Sequence, residues 1–413
     1  MTKYAISFLT LIVVLANRVF DIGPWWRHEG SFNVTDIGNA LMMGAVFLCL
    51  VFIRDRRAVW NPISFLIIFY LAQVSLHFFL AQINYNQSAM DSLIAIRHQA
   101  WYLSFFLFLF LLNKSEKMVK FLDMMAVISA IVLLFSLFNY FGATIFSHKY
   151  GAGQGLRSGI TRAYIPGMGL LSFSTIWVFT KWTQNLGRNK VNGLGTIVFL
   201  SAHFFRQTRM RLFGIIAVVG GVLILKMKIK LLLTLAILGL AAIIVLNLTM
   251  KENPMTKVFS VAHKSLVTKK GTWEPRLKQI AVDIDTFKKS PLMGDGLSAV
   301  RFTGTTWMHE RYRDRTFYSD LGYTSWLKFY GAVGMVWLFL FFGIQYFMTM
   351  KAKALASKTD RTILFACQCV IINIIGTLLT LNHMMYPQDV TIICLNAALI
   401  TRLYQKYCWV SND

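Results

Sequence analysis

The sequence predicts an all-α, polytopic bundle of about twelve transmembrane helices with one large outer loop, and three observations predict it. The 413 residues are 56% hydrophobic and 15% charged, with a mean hydropathy of +0.54; that is too apolar for a surface facing water. The apolar residues form long uninterrupted runs, and about 20 such residues in a helix cross a hydrocarbon core about 30 Å thick. A closed barrel is excluded by the same continuity, since its strands would alternate in polarity. Finally, the basic residues gather in every second connection, as cytoplasmic loops do.

Taken in order, the spans fall at 4–20, 37–53, 61–82, 95–113, 119–141, 163–181, 191–206, 212–226, 231–249, 322–349, 362–381 and 388–404. Lys3 leads into an apolar run that reaches about Val19, and no small-residue cleavage site precedes the polar segment Asp21 to Glu29. The first run is therefore expected to be a retained helix. Basic clusters follow the second span (Arg54 to Arg57), the fourth (Lys114 to Lys120), the sixth (Lys181 to Lys190), the eighth (Lys226 to Lys230) and the tenth (Lys351 to Arg361). All five lie on one side, which the positive-inside rule makes the cytoplasm, with both termini. The outer connections near 21–36, 83–94 and 382–387 carry almost no Lys or Arg. Three outer segments depart from that asymmetry: Lys149 to Arg162, Arg206 to Arg211, and the long loop from Met250 to Leu321. The chain thus divides into helices 1–9 over 1–249, a large outer loop over 250–321, and helices 10–12 with a cytoplasmic tail over 322–413.

Within the long loop, Glu274-Pro275-Arg276 places a proline in a first helical turn, and Leu277, Ile280, Ala281, Ile284 and Phe287 recur at helical spacing. Ser290-Pro291 and Gly294-Asp295-Gly296 end the pattern. This predicts an amphipathic helix along the membrane surface, or a lid over the bundle. A net charge of +24 would suggest nucleic acid in a water-soluble chain, but here the cations lie between apolar runs, where they orient helices and attract anionic lipid. Nucleic acid is not an expected partner. Four of the five cysteines fall in apolar runs and Cys408 lies in the tail, so no disulfide is expected to staple the loop. No Walker loop or dinucleotide fingerprint is present, and the aspartates lack metal-ligand spacing, so neither cofactor nor metal is expected.

Three motifs converge on the outer side. Arg206-Gln207-Thr208-Arg209 precedes the apolar run Leu212 to Leu225; Arg276 leads to Ser290-Pro291-Leu292-Met293-Gly294-Asp295-Gly296; and Asp320-Leu321-Gly322-Tyr323-Thr324 is followed by Gly331-Ala332-Val333-Gly334. In order and spacing these resemble the motifs of the O-antigen ligase/polymerase superfamily, over about residues 200–340. The resemblance implies a glycosyltransferase of the bacterial inner membrane that uses undecaprenyl-pyrophosphate-linked oligosaccharides at the periplasmic face, with a chain-length regulator and a flippase as candidate partners. Asp320 stands where ligases of that family carry a histidine, which tilts the resemblance toward a polymerase of surface polysaccharide.

The chemistry suits these residues. A departing pyrophosphate gains negative charge, and guanidinium groups match its oxygens bidentately, so Arg209 and Arg276, with Arg211 in support, are expected to bind it. An acceptor hydroxyl must lose a proton as it attacks, and Asp320 is the candidate base. Tyr323, His309 and Arg313 are candidate sugar contacts. Structural alternatives stand beside these roles: interface anchoring for Arg209 and Arg211, pairing with Asp283 or Glu274 for Arg276, a solvated loop for the cluster around His309 and Arg313, and a helix N-cap for Asp320. Two other functions fit the same side of the membrane, an O-antigen ligase acting on lipid A-core and a transporter or flippase of lipid-linked sugars.

Overall fold

The structure, a computed structural model, describes residues 4–19, 34–52, 56–140, 156–157, 160–161, 165–187, 189–206, 209–226, 273–297, 321–379 and 381–409, with single positions at 233, 237, 241 and 267. Among these the chain is helical apart from a two-residue pairing of Leu156–Arg157 with Ile160–Thr161. The helices are α1 (Ala5–Asn17), α2 (Val34–Phe52), α3 (Pro62–Tyr85), α4 (Ala89–Ile96), α5 (Ser104–Leu111), α6 (Ser115–Tyr140), α7 (Met168–Thr183), α8 (Asn189–Arg206), α9 (Arg209–Leu225), α10 (Trp273–Lys289), α11 (Tyr323–Leu355), α12 (Lys358–Thr377) and α13 (Pro387–Tyr404). Every predicted run except 231–249 carries a helix, and that run lies almost wholly outside the described residues. Among the described residues, six stretches are long and apolar enough to cross a membrane: α2, Pro62–Asn84, Ala89–Leu111, Ser115–Phe138, α11 and α12. They mark this as a membrane protein.

Local sequence sets several of the helix starts. Asn61 caps α3 by accepting from the Ser64 amide at 2.9 Å, with Pro62 filling the first turn, and Ser88 caps α4 through the Asp91 amide at 3.1 Å. Such caps satisfy amides that a helix start leaves without partners. Ser357 does the same for α12, and Pro387 opens α13. The run expected at 95–113 is interrupted: Arg97–Leu103 winds as a 3₁₀ helix between α4 and α5, an unusually long stretch of that tighter winding. It is tied to α2, because Asn39 donates to the Arg97 carbonyl at 2.8 Å and the Arg97 guanidinium lies 3.3 Å from Asp36.

The bundle is arranged for a lipid solvent. α7 and α13 are buried along almost their whole length, and they carry the polar residues Ser172, Ser174, Thr175, Thr391, Asn396 and Thr401 inward. Peripheral α2, α3 and α11 instead expose Phe47, Phe52, Phe65, Phe79, Phe339 and Phe347. In lipid the outside is as apolar as any core, so polar groups are better satisfied inside against one another.

At one end the basic segments meet. Lys406 Nζ donates to Asp360 Oδ2 at 2.7 Å and to Ser115 Oγ at 3.1 Å, Gln405 donates to the Ala58 carbonyl at 3.0 Å, and Lys358 donates to the Asn185 carbonyl at 3.3 Å. Lys226 and Lys353 both sit over the Phe365 ring, 4.5 and 4.7 Å from its centroid. The cationic connections that the sequence assigns to one side therefore share one end of the bundle.

The opposite half contains a broken helix. α11 is 33 residues long, about 50 Å at 1.5 Å per residue and much longer than a hydrocarbon core is thick. Its helical path stops at Gly331 (φ 62°, ψ −160°), a conformation that only glycine adopts freely. The break frees backbone groups, and the turn after α10 takes them up. The Asp295 and Gly296 amides donate to the Lys328 and Phe329 carbonyls at 2.9 and 3.3 Å, while the Ala332 and Val333 amides donate to the Pro291 and Leu292 carbonyls at 2.8 and 3.1 Å. Two motifs that lie about 40 residues apart in the sequence thus interlock. Gly294 and Gly331 face each other so closely that a Cβ on Gly331 would strike the Leu292 carbonyl oxygen, and one on Gly294 the Phe329 carbonyl oxygen. Irregular backbone of this kind is tolerated at membrane depth only when protein satisfies it. α3 adds two ties, Asn84 to the Asp295 carbonyl at 3.0 Å and Gln73 to the Tyr330 carbonyl at 3.2 Å. Beneath the break, Tyr70, Tyr102, Trp326, Tyr330 and Trp337 form a buried aromatic cluster, with Tyr70 Oη 2.8 Å from Tyr330 Oη and donating to Gln99 at 2.7 Å.

Candidate functional site

At the end opposite the basic segments, two elements are joined through the C-terminus of α12 and a third packs along one of them. The first is the start of α9. Arg211, in its first turn, points into the bundle, and one guanidinium nitrogen donates to Asp389 Oδ1 and Oδ2 at 3.0 and 2.7 Å. The two side chains are 10% and 7% exposed, so the pair is a buried, mutually neutralised couple. His383 Nδ1 lies 3.1 Å from Asp389 Oδ2, and His383 Nε2 lies 2.7 Å from Thr377 Oγ1 near the end of α12. Burial pushes the His383 imidazole below its ordinary pKa and Arg211 adds to that, against the opposing pull of Asp389. Both ring nitrogens are thus within hydrogen-bond reach of a neighbour, and the Thr377 hydroxyl also donates to the Asn373 carbonyl at 2.7 Å.

Close backbone approach sets this geometry. A Cβ on Gly169 would lie 2.6 Å from Asp389 Oδ1, and one on Gly214 would lie 2.6 Å from Asn373 Oδ1, so α7 and α9 reach their neighbours only because these positions lack side chains. The packing leaves a cavity of about 20 Å³ lined by Gly169, Ser172, Arg211, Asn373, His383 and Asp389. That volume suits a single water and excludes a sugar. Asn373 Oδ1 is buried there without a hydrogen-bond partner.

The second element is the start of α11. Gly322 is pressed against the carbonyls of Leu378 and Leu381, the Tyr323 amide donates to the Leu378 carbonyl at 3.2 Å, and the Tyr323 hydroxyl donates to the Ile375 carbonyl at 2.9 Å. The third is α10, which runs alongside the first turns of α11 in the same direction. Asp283 Oδ2 accepts from Ser325 Oγ at 3.4 Å and Asp283 Oδ1 lies 3.6 Å from Lys328 Nζ, while residues 291–292 reach 332–333 further along. Burial raises the Asp283 carboxyl pKa, and Lys328 opposes it most. Arg276 is two helical turns upstream of Asp283, about 10 Å along the axis, on the same side as the start of α11.

The sequence candidates are therefore distributed as follows. Arg209 is the first residue of α9, with its side chain outside the described part; Arg211 is turned inward onto Asp389; Arg276 is half-buried in the first turn of α10; and Tyr323 opens α11. Asp320, His309 and Arg313 lie outside the described residues. Among the described residues, no group of His, Cys, Asp or Glu is gathered as a metal site.

Sequence reasoning missed Asp389, His383 and Thr377. The available signal was an acid beside Pro387 at the mouth of an apolar run, facing a lone arginine in another. Asp123, His77 and His203 are ionisable residues within apolar runs. Asp123 pairs with Lys181 at 2.8 Å, His203 Nε2 lies 3.4 Å from Thr175 Oγ1, and His77 is packed 4.6 Å from the Tyr330 ring. Comparison with protein-family models and with curated proteins finds no match to this chain.

Proposed function

We propose that the chain is a membrane glycosyltransferase that polymerises undecaprenyl-pyrophosphate-linked oligosaccharide repeat units into a surface polysaccharide at the periplasmic face of the bacterial inner membrane. The bundle holds about twelve spans in this reading, with both termini and the basic connections cytoplasmic and the 250–321 loop outside. What supports it is that the starts of α9 and α11 are both tied to the region at the C-terminus of α12, with α10 packed along the first turns of α11, at the end away from the basic segments, since these elements carry Arg209, Tyr323 and Arg276.

The reaction breaks the bond between the anomeric carbon and the pyrophosphate oxygen and forms a glycosidic bond to an acceptor hydroxyl. Undecaprenyl pyrophosphate leaves with the bonding electron pair, and the hydroxyl proton passes to Asp320. Arg209 and Arg276 supply fixed positive charge where the leaving group gains negative charge, the most effective placement for such charge. Arg211 is spent on Asp389, so its part is to fix the first turn of α9 and thereby the place of Arg209. No cofactor is needed, because the lipid-linked donor is already activated.

The test is complementation of a strain lacking the gene. Arg209→Ala, Arg276→Ala and Asp320→Asn should insert at normal levels and leave only single repeat units on the surface, against a ladder for the parent chain. Full ladders from all three would end this reading. Polymer of normal length left unattached to lipid A-core in the deletion strain would replace it with the ligase.

A further inference from the structure

Helix α10 presents the unexpected side to the protein. Its apolar positions Leu277 and Ile284 are 44% and 41% exposed, whereas Gln279, Asp283 and Thr286 are 5%, 1% and 0% exposed. With Arg276 these polar residues stand at intervals of three and four, one stripe along the helix, and Asp283 within it faces Ser325 and Lys328 of α11. The hydrogen bonding within this seam is incomplete. Thr286 Oγ1 and Asp283 Oδ1 are buried without a hydrogen-bond partner, Lys328 standing 3.6 Å from the latter. An unbonded buried hydroxyl or carboxylate oxygen is costly, so a helix that served only as a cover would carry valine or alanine here.

We propose that the seam between α10 and the first turns of α11 is a binding groove for sugar hydroxyls of the lipid-linked oligosaccharide, seen here closed. The idea rests on the proposed glycosyltransferase reading and extends it from the diphosphate to the glycan. Exposed Leu277 and Ile284 would hold α10 at the membrane surface. The 290–296 turn, locked into the break of α11, is the pivot about which α10 lifts. A hexose ring presents hydroxyls that both donate and accept, and Thr286, Asp283, Ser325, Gln279 and Lys328 supply complementary groups. The Arg276 end of the stripe leads toward the start of α11, where the diphosphate is expected, so glycan and diphosphate would lie along one line.

Thr286→Val tests this without disturbing the fold, since it is close in shape and its hydroxyl makes no bond within the protein. The full chain in nanodiscs is titrated with undecaprenyl pyrophosphate and with undecaprenyl-pyrophosphoryl-N-acetylglucosamine. The parent chain should bind the sugar-bearing lipid at least about fivefold more tightly than the bare one. Thr286→Val and Asp283→Asn should erase that difference while keeping affinity for the bare lipid. A parent chain that shows no preference, or a Thr286→Val variant that retains it, overturns the groove and leaves the glycosyltransferase reading standing. Binding of neither lipid by the parent overturns both.

Discussion

Replacing Asp389 with asparagine keeps the volume of the side chain and removes the charge that Arg211 faces. Both oxygens lie within 3.0 Å of the same guanidinium nitrogen, and neither side chain is more than 10% exposed, so bulk solvent does not replace the lost carboxylate. Leaving one member of a buried pair alone costs about 3–5 kcal/mol, a large fraction of the 5–15 kcal/mol that typically holds a domain folded. Arg211→Met should cost a similar amount by stranding Asp389, with His383 as its remaining neighbour. The double variant Arg211→Met/Asp389→Leu removes both charges and should recover most of the loss, giving a coupling of about 2 kcal/mol or more in a double-mutant cycle. Denaturation by SDS in mixed micelles measures the four stabilities. Additive losses, or an Asp389→Asn variant within about 0.5 kcal/mol of the parent, would refute the claim that the couple anchors α9. Activity of the double variant adds a second readout. An anchoring Arg211 allows polymer formation to return with stability, while an Arg211 that touches substrate leaves the double variant stable and inactive.

Two further outcomes follow from the α10–α11 seam. Gly331→Ala places a Cβ against the Leu292 carbonyl at a backbone conformation closed to other residues, and should cost about 2–4 kcal/mol with selective loss of hydrogen-exchange protection over 291–296 and 332–333; unchanged protection there would contradict the interlock. Burial holds the Asp283 carboxyl above its ordinary pKa of 3.8, so between that value and its folded value the folded chain binds more protons than the unfolded one. The stability Asp283 confers at acidic pH is then lost as pH rises through the folded value. Intrinsic-rate-corrected exchange of the α10 amides should therefore quicken with rising pH in the parent and not in Asp283→Asn, and protection that increases with pH would reverse the assignment.

The helical class was legible because runs of about twenty apolar residues admit almost one reading in lipid. Which face of α10 meets the protein was not. A period of three to four separates Leu277 and Ile284 from Gln279 and Asp283, but it does not tell which set turns inward where lipid and protein are both apolar. The interruption of α11 was equally hidden: Gly331 and Gly334 read as a motif, yet the bonds that make a break tolerable come from residues 291–296. Arg211 was visible as a cation near a helix start, while its partner Asp389 lay beyond 170 intervening residues and could be paired with it only in space. The candidate site was thus readable as a set of elements, and its internal pairing was not.

The clasp between residues 290–296 and the break in α11 also bears on how the chain enters the membrane. Synthesis runs from the N-terminus, so the turn that fills the gap leaves the ribosome before the gap itself. The carbonyls of Lys328 and Phe329 and the amides of Ala332 and Val333 find their partners already made when they arrive, and need not linger bare in hydrocarbon. Had the two segments occurred in the reverse order, the severed helix would have had to wait in lipid for its plug.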